Sequence, residues 1–166
     1  MAQSPPSASD PSPETNAAQR AASSVRFELR IPKTLGYLNT LCHCGMLAIG
    51  LRDRPRAQSI YELLAPYDHF ETPNMLAIST GPVAHYLAAL ALFLELPEAG
   101  SHLELAITLC QERGLRPQLA AGWIELAKWC KPACPQRTEQ VSTRASALAE
   151  ELGMRWLVER ARALDL

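Results

Sequence analysis

The 166-residue sequence predicts an all-α fold: a helical-repeat solenoid of about three helix pairs plus a terminal helix, preceded by a disordered N-terminal tail. Three observations carry that expectation. Apolar residues recur at helical spacing from about residue 34 to residue 164. Prolines 55, 97 and 117 stand where helices would begin, and Gly114 and Gly153 where they would end. The chain also resembles itself when offset by about 40 residues.

The elements follow in order. Residues 1–24 draw ten of their residues from Ser and Pro, and Met1 is their one bulky apolar side chain. Such a segment buries too little surface to offset the entropy of ordering it, so it is expected to be disordered. Val25 to Ile31 alternates apolar and polar residues like a strand. With no second strand to pair with, an extended lead-in or part of a helix is expected there. A first long helix is predicted over Thr34–Leu51, capped by Thr34, with Leu35, Leu38, Leu41, Cys42, Met46 and Ile49 on its apolar face. A second runs from about Arg56 to Tyr67 and buries Ala57, Ile60, Leu63 and Leu64. A loop from His69 to Thr80 follows.

The third helix, Pro82–Leu94, is apolar almost all round, the mark of a helix with neighbours on several sides. The fourth runs from Pro97 to Gly114, with a stripe of Ala99, Leu103, Ala106, Leu109 and Cys110. The fifth, Pro117–Cys130, presents Leu119, Trp123, Leu126 and Cys130. After the Lys131–Pro135 loop, a sixth is predicted over about Gln136–Leu152. A short last helix, Met154–Leu164, presents Leu157, Val158, Ala161 and Leu164.

Laid on itself with Glu112 over Glu151, the chain matches ERGLR (112–116) to ELGMR (151–155), and Ala106 and Leu109 fall on Ala145 and Leu148. A second alignment lays Pro55, Ala57 and Glu62 on Pro97, Ala99 and Glu104. The repeating unit is thus a helix pair of roughly 40 residues whose apolar face is buried only by stacking.

LLAPY (63–67), GPVAHYLAAL (81–90), HLELAITLCQERGLRP (102–117) and AEELGM (149–154) resemble the tetratricopeptide-like C-terminal region of large bacterial signalling proteins. Those proteins carry upstream a signalling ATPase module or a nucleotide cyclase domain, and some a LuxR-type DNA-binding helix-turn-helix. The resemblance spans about Phe27 to Leu164. It implies a tetratricopeptide-like fold and a binding role. The chain departs from the pattern at 131–141, where the run CKPACP replaces the usual Gly/Asp-rich turn and Glu139 or Val141 stands in place of a small alanine. None of the upstream parts is present, so their nucleotide chemistry does not extend to this chain.

Composition bounds function. The 16 basic and 17 acidic residues balance, which argues against a general polyanion-binding surface, so direct nucleic-acid binding is not expected. The longest apolar stretch, Val83 to Leu94, has 12 residues, whereas a membrane-spanning helix needs ~20. With no basic start followed by an apolar run, a cytoplasmic location is expected. The odd count of five cysteines, at 42, 44, 110, 130 and 134, points to reduced thiols.

Two constellations invite a metal. His102-x-Glu104 followed by Cys130 and Cys134 echoes the zinc deaminase pattern, but the cysteine spacing is wrong, no proline precedes Cys130, and residues 102 and 104 project about 200° apart on a helix. In Cys42-His43-Cys44 the two thiols point to different helix faces. The phosphate-loop, dinucleotide, nucleophile-elbow and zinc-protease motifs are missing. Glu151 with Arg155 and Glu159 with Arg162 are read as helix-surface pairs. Trp123 is expected in the core, Trp129 at a packing edge, and Trp156 at the end of the stack or against a partner.

The expectation is therefore a non-catalytic protein- or ligand-binding scaffold in signalling, with no cofactor and no metal, whose partner is a protein or peptide. The first helices of each pair would line a concave surface, with Asn39, His43, His85 and Glu125 as its groove-facing polar residues. The alternative is a detached sensor or output piece of a transcriptional regulator or cyclase.

Overall fold

The computed structural model describes residues 36–73 and 79–164. The Ser/Pro tail, the alternating segment Val25–Ile31 and the proposed Thr34 cap lie outside the described residues. Seven α-helices carry the described chain: α1 (Tyr37–Gly50), α2 (Arg54–Leu64), α3 (Val83–Leu94), α4 (Ala99–Glu112), α5 (Arg116–Cys130), α6 (Pro135–Glu151) and α7 (Arg155–Arg162). A single 3₁₀ turn, Ala65–Tyr67, extends α2. None of these helices is long and apolar enough to cross a membrane.

Each helix packs on the next, and α3 also packs on α1, as α7 does on α5. The apolar stripes explain why. On α4, the expected stripe of Ala99, Leu103, Ala106, Leu109 and Cys110 is buried throughout. On α3, seven residues are buried, among them Val83, Leu87, Leu90 and Leu94, because α1, α2 and α4 surround it. Helix α5 joins two clusters. Leu119, Ala120 and Ile124 pack with Ala145, Leu148, Ala149, Leu157 and Ala161 of α6 and α7. Leu126, Ala127 and Cys130 pack with Ala88, Leu103 and Val141. Val141, one of the two residues that could stand in place of the expected alanine, is a buried member of this second cluster.

Two pairs of turns close with the same hydrogen bond. After α4, Leu115 N–H donates to Cys110 O at 2.9 Å, with Gly114 left-handed at φ +68°. At the corresponding place after α6, Met154 N–H donates to Ala149 O at 2.9 Å, with Gly153 again at φ +68°. The turns after α1 and α3 match likewise: Asp53 N–H to Ala48 O at 2.9 Å, and Leu96 N–H to Ala91 O at 2.8 Å. Their left-handed residues are not glycines but Arg52 (φ +55°) and Glu95 (φ +63°). The turn after α5, in the CKPACP run, differs: Lys131 is right-handed at φ −47°, and Cys134 N–H donates to Cys130 O at 2.8 Å.

Four expectations are corrected. The stretch expected as a loop from His69 to Thr80 contains strands: β1 (Glu71–Pro73) pairs antiparallel with β2 (Ser79–Pro82). Strands this short, each touching a proline, leave no readable alternation. The fully buried Thr72 anchors the ribbon, donating to Gly81 O at 2.8 Å and lying 2.6 Å from Thr80 Oγ1. Met46 and Leu63, placed on buried faces, are 44% and 37% exposed: Gly45 and Ala48 are the buried residues on that part of α1, and Ala57, Ile60 and Leu64 those of α2. Trp123 is only half-buried, packing on both α5 clusters from outside. The charged pairs are interhelical: Glu151 pairs with Arg116, and Arg162 with Glu150 at 3.0 Å. Glu151 ends α6 and Arg155 begins α7, so no continuous helix brings them together.

Candidate functional site

An open cleft of about 550 Å³ is walled by α1, α3, α5 and α7, with Leu103 of α4 behind it. Two alanines, Ala89 of α3 and Ala121 of α5, leave the space; larger side chains there would fill it. Met46, Leu92, Leu103, Met154 and Trp156 supply the rest of an apolar lining. Met46 and Trp156, from the first and last helices, are 44% and 52% exposed and stand bare in the cleft.

His85 and Glu125 both line this cleft. Helical spacing places His85 on the α3 face opposite its fully buried residues Leu87 and Leu90. Its ring lies over Gly122 of α5, where a β-carbon would sit 3.8 Å from Cε1. Burial holds the imidazole below its usual pKa of 6.5, and the Glu125 carboxylate pulls partly the other way. The ring is therefore neutral at neutral pH. No described residue offers it a hydrogen-bond partner.

The other polar lining groups are committed. Glu125 Oε1 accepts from Arg160 at 2.7 Å and from Lys128 at 2.9 Å. The Arg160 guanidinium also sits 5.8 Å from the centroid of the Trp156 ring, a cation–π placement. The Tyr86 hydroxyl donates to Thr80 O, and the Gln118 amide to Ser79 O, each at 3.3 Å. Thr80 Oγ1 donates to Thr72 O at 2.8 Å.

Asn39 and His43 do not line the cleft but stand beside it on α1. Asn39 Oδ1 lies 3.4 Å from Thr80 Oγ1, and the Asn39 carbonyl lies 2.7 Å from His43 Nδ1. The His43 ring is tilted toward Tyr86 with centroids 6.4 Å apart. Sequence reasoning passed over Tyr86, Gln118 and Arg160. One signal for Arg160 was available, since it falls four residues after Trp156 and so shares its helix face.

The metal-like constellations come apart. The His102 ring meets the Tyr61 hydroxyl at 2.9 Å, whereas Glu104 accepts from Arg137 at 2.7 Å. Cys42, Cys110 and Cys130 are buried, and burial pushes Cys42 up to about 12 and Cys110 to about 11. Among the described residues, no group of three or more His, Cys, Asp or Glu side chains is placed to hold a metal ion. Comparison with known proteins finds no family model, no curated protein and no solved structure that matches this chain.

Proposed function

We propose that the chain is a tetratricopeptide-like helical-repeat scaffold that binds a protein or ligand partner in its cleft and performs no chemistry of its own. In this reading α1–α2, α3–α4 and α5–α6 are three repeats, α7 is the terminal helix, and the first helix of each pair faces the partner. The matched turns support the repeat: Gly114 corresponds to Gly153, and Arg52 to Glu95. The cleft carries the binding reading. It leaves Met46 and Trp156 exposed in a lining that also holds a neutral histidine, and exposed apolar surface of that kind marks interaction sites.

The test is site-specific photocrosslinking in cells. A photoreactive amino acid placed at Ala89, inside the cleft, is expected to yield a discrete crosslinked species. The same residue at Ala147, exposed on α6, is expected to yield none. Equal crosslinking at the two positions would remove the cleft from the function.

A further inference from the structure

We propose that the cleft is a site for an uncharged, largely apolar small molecule bearing one hydrogen-bonding group, which His85 reads. The proposal deepens the binding reading above and rests on it. Three features of the cleft point to this occupant.

Size comes first. About 550 Å³ falls within the ~300–1,000 Å³ of small-molecule sites. The volume exists because Ala89 and Ala121 face it from α3 and α5.

Charge comes second. The acidic and basic residues that line the cleft, Glu125 and Arg160, are bonded to each other at 2.7 Å, and Lys128 adds a second cation to Glu125 at 2.9 Å. Lys128 does not line the cleft, so within the lining the charges of Glu125 and Arg160 offset each other and an uncharged ligand meets no unpaired charge there. Such a ligand leaves the pair intact and covers Met46, Met154 and Trp156.

Unspent hydrogen bonding comes third. Thr80, Tyr86 and Gln118 already bond to the β ribbon. His85 is the lining group with no partner among the described residues. A neutral imidazole has one donor and one acceptor nitrogen, so it can take a hydroxyl, an N–H or a carbonyl. In an apolar cleft that single bond orients the ligand, because an unmatched polar group there is costly.

The probe for the full chain is N-phenyl-1-naphthylamine, an uncharged bicyclic aromatic with one N–H. Its comparator is 8-anilino-1-naphthalenesulfonate, the same skeleton carrying an anion. Saturable binding of the neutral probe at one per chain is expected, at least tenfold tighter than the sulfonate. His85→Phe keeps the apolar wall and removes the bond, so it should weaken the neutral probe roughly fivefold to tenfold. Ala89→Trp should abolish binding by filling the space. If that variant misfolds by circular dichroism, Trp156→Ala takes its place, with at least a threefold loss expected. Equal or tighter binding of the sulfonate, or full binding to both the filled and the Trp156→Ala variants, overturns the proposal. A crosslinked protein partner at Ala89 with no saturable binding of the neutral probe would make the cleft a peptide groove. That overturns the small-molecule assignment while leaving the scaffold reading standing; loss of both results overturns both.

Discussion

At Gly100 a single hydrogen atom decides a helix contact. The Trp129 indole of α5 lies across this glycine of α4, and a β-carbon there would sit 2.6 Å from the ring. The ring is rigid, so Gly100→Ala must push it outward. The alanine gains about 0.5–1 kcal/mol in helix propensity, but overpacking costs about 1–3 kcal/mol. A net loss of about 1 kcal/mol in urea unfolding is expected, with red-shifted tryptophan emission. On a Trp129→Ala background the same substitution should become stabilising, and failure of the sign to reverse would rule out this contact as the cause. Titration is also a residue-scale property. Burial lowers the pKa of both His85 and His102 from 6.5, the latter opposed by Asp68 and Glu98. Below pH 6.5 the unfolded chain takes up protons before the folded one, so these two residues favour folding above that pH and cease to as pH falls through their folded values. Cys42 and Cys110 act at the alkaline end. Their folded values of about 12 and about 11 exceed the ordinary 9.0, so unfolded thiols ionise first and stability declines as pH rises from 9 toward 12. Melting temperatures measured from pH 5 to 10 should fall at both ends. An acid-side loss unchanged in a His85→Asn, His102→Asn double variant would contradict the histidine assignment.

At the scale of the element, the turns were the most legible part of the chain. Gly114 and Gly153 could be named as helix ends because a left-handed residue there favours glycine, and the same hydrogen bond closes both turns. Arg52 and Glu95 escaped notice because nothing in their chemistry announces a positive φ. They support a direct comparison. A left-handed backbone costs a non-glycine residue about 1–2 kcal/mol, so Arg52→Gly is expected to raise stability by about 1 kcal/mol. Gly114→Ala and Gly153→Ala should each lower it by about the same amount, since neither β-carbon would meet another atom within 4 Å. Thermal melts of the three variants check this, and an unchanged Arg52→Gly would show that the strain is absorbed elsewhere. The β ribbon was illegible for the opposite reason: strands of three and four residues hold too few positions to display a period of two.

For the whole molecule, stacking matters more than any single helix. Leu157 of the eight-residue α7 is fully buried against α5 and α6, so the last helix holds the end of the stack. Leu157→Ala is expected to cost about 2–5 kcal/mol and to weaken neutral-probe binding as well, because α7 brings Trp156 and Arg160 to the cleft. Urea unfolding and probe titration on the same variant would separate the two effects. By itself the sequence determined the helices, their apolar stripes and most of their ends. Those features follow from local periodicity and from backbone preferences of proline and glycine, which act over a few residues. Only the tertiary structure decided that Met46 stands in a cleft rather than in the core. It also decided that Glu125 is paired with Arg160 of another helix, and that Asn39 and His43 stand beside the cleft while His85 enters it. Such choices depend on the spacing and rotation of helices packed side by side. These are set by side-chain volumes summed across the packed helices, here by Ala89 and Ala121, and no local pattern records that sum.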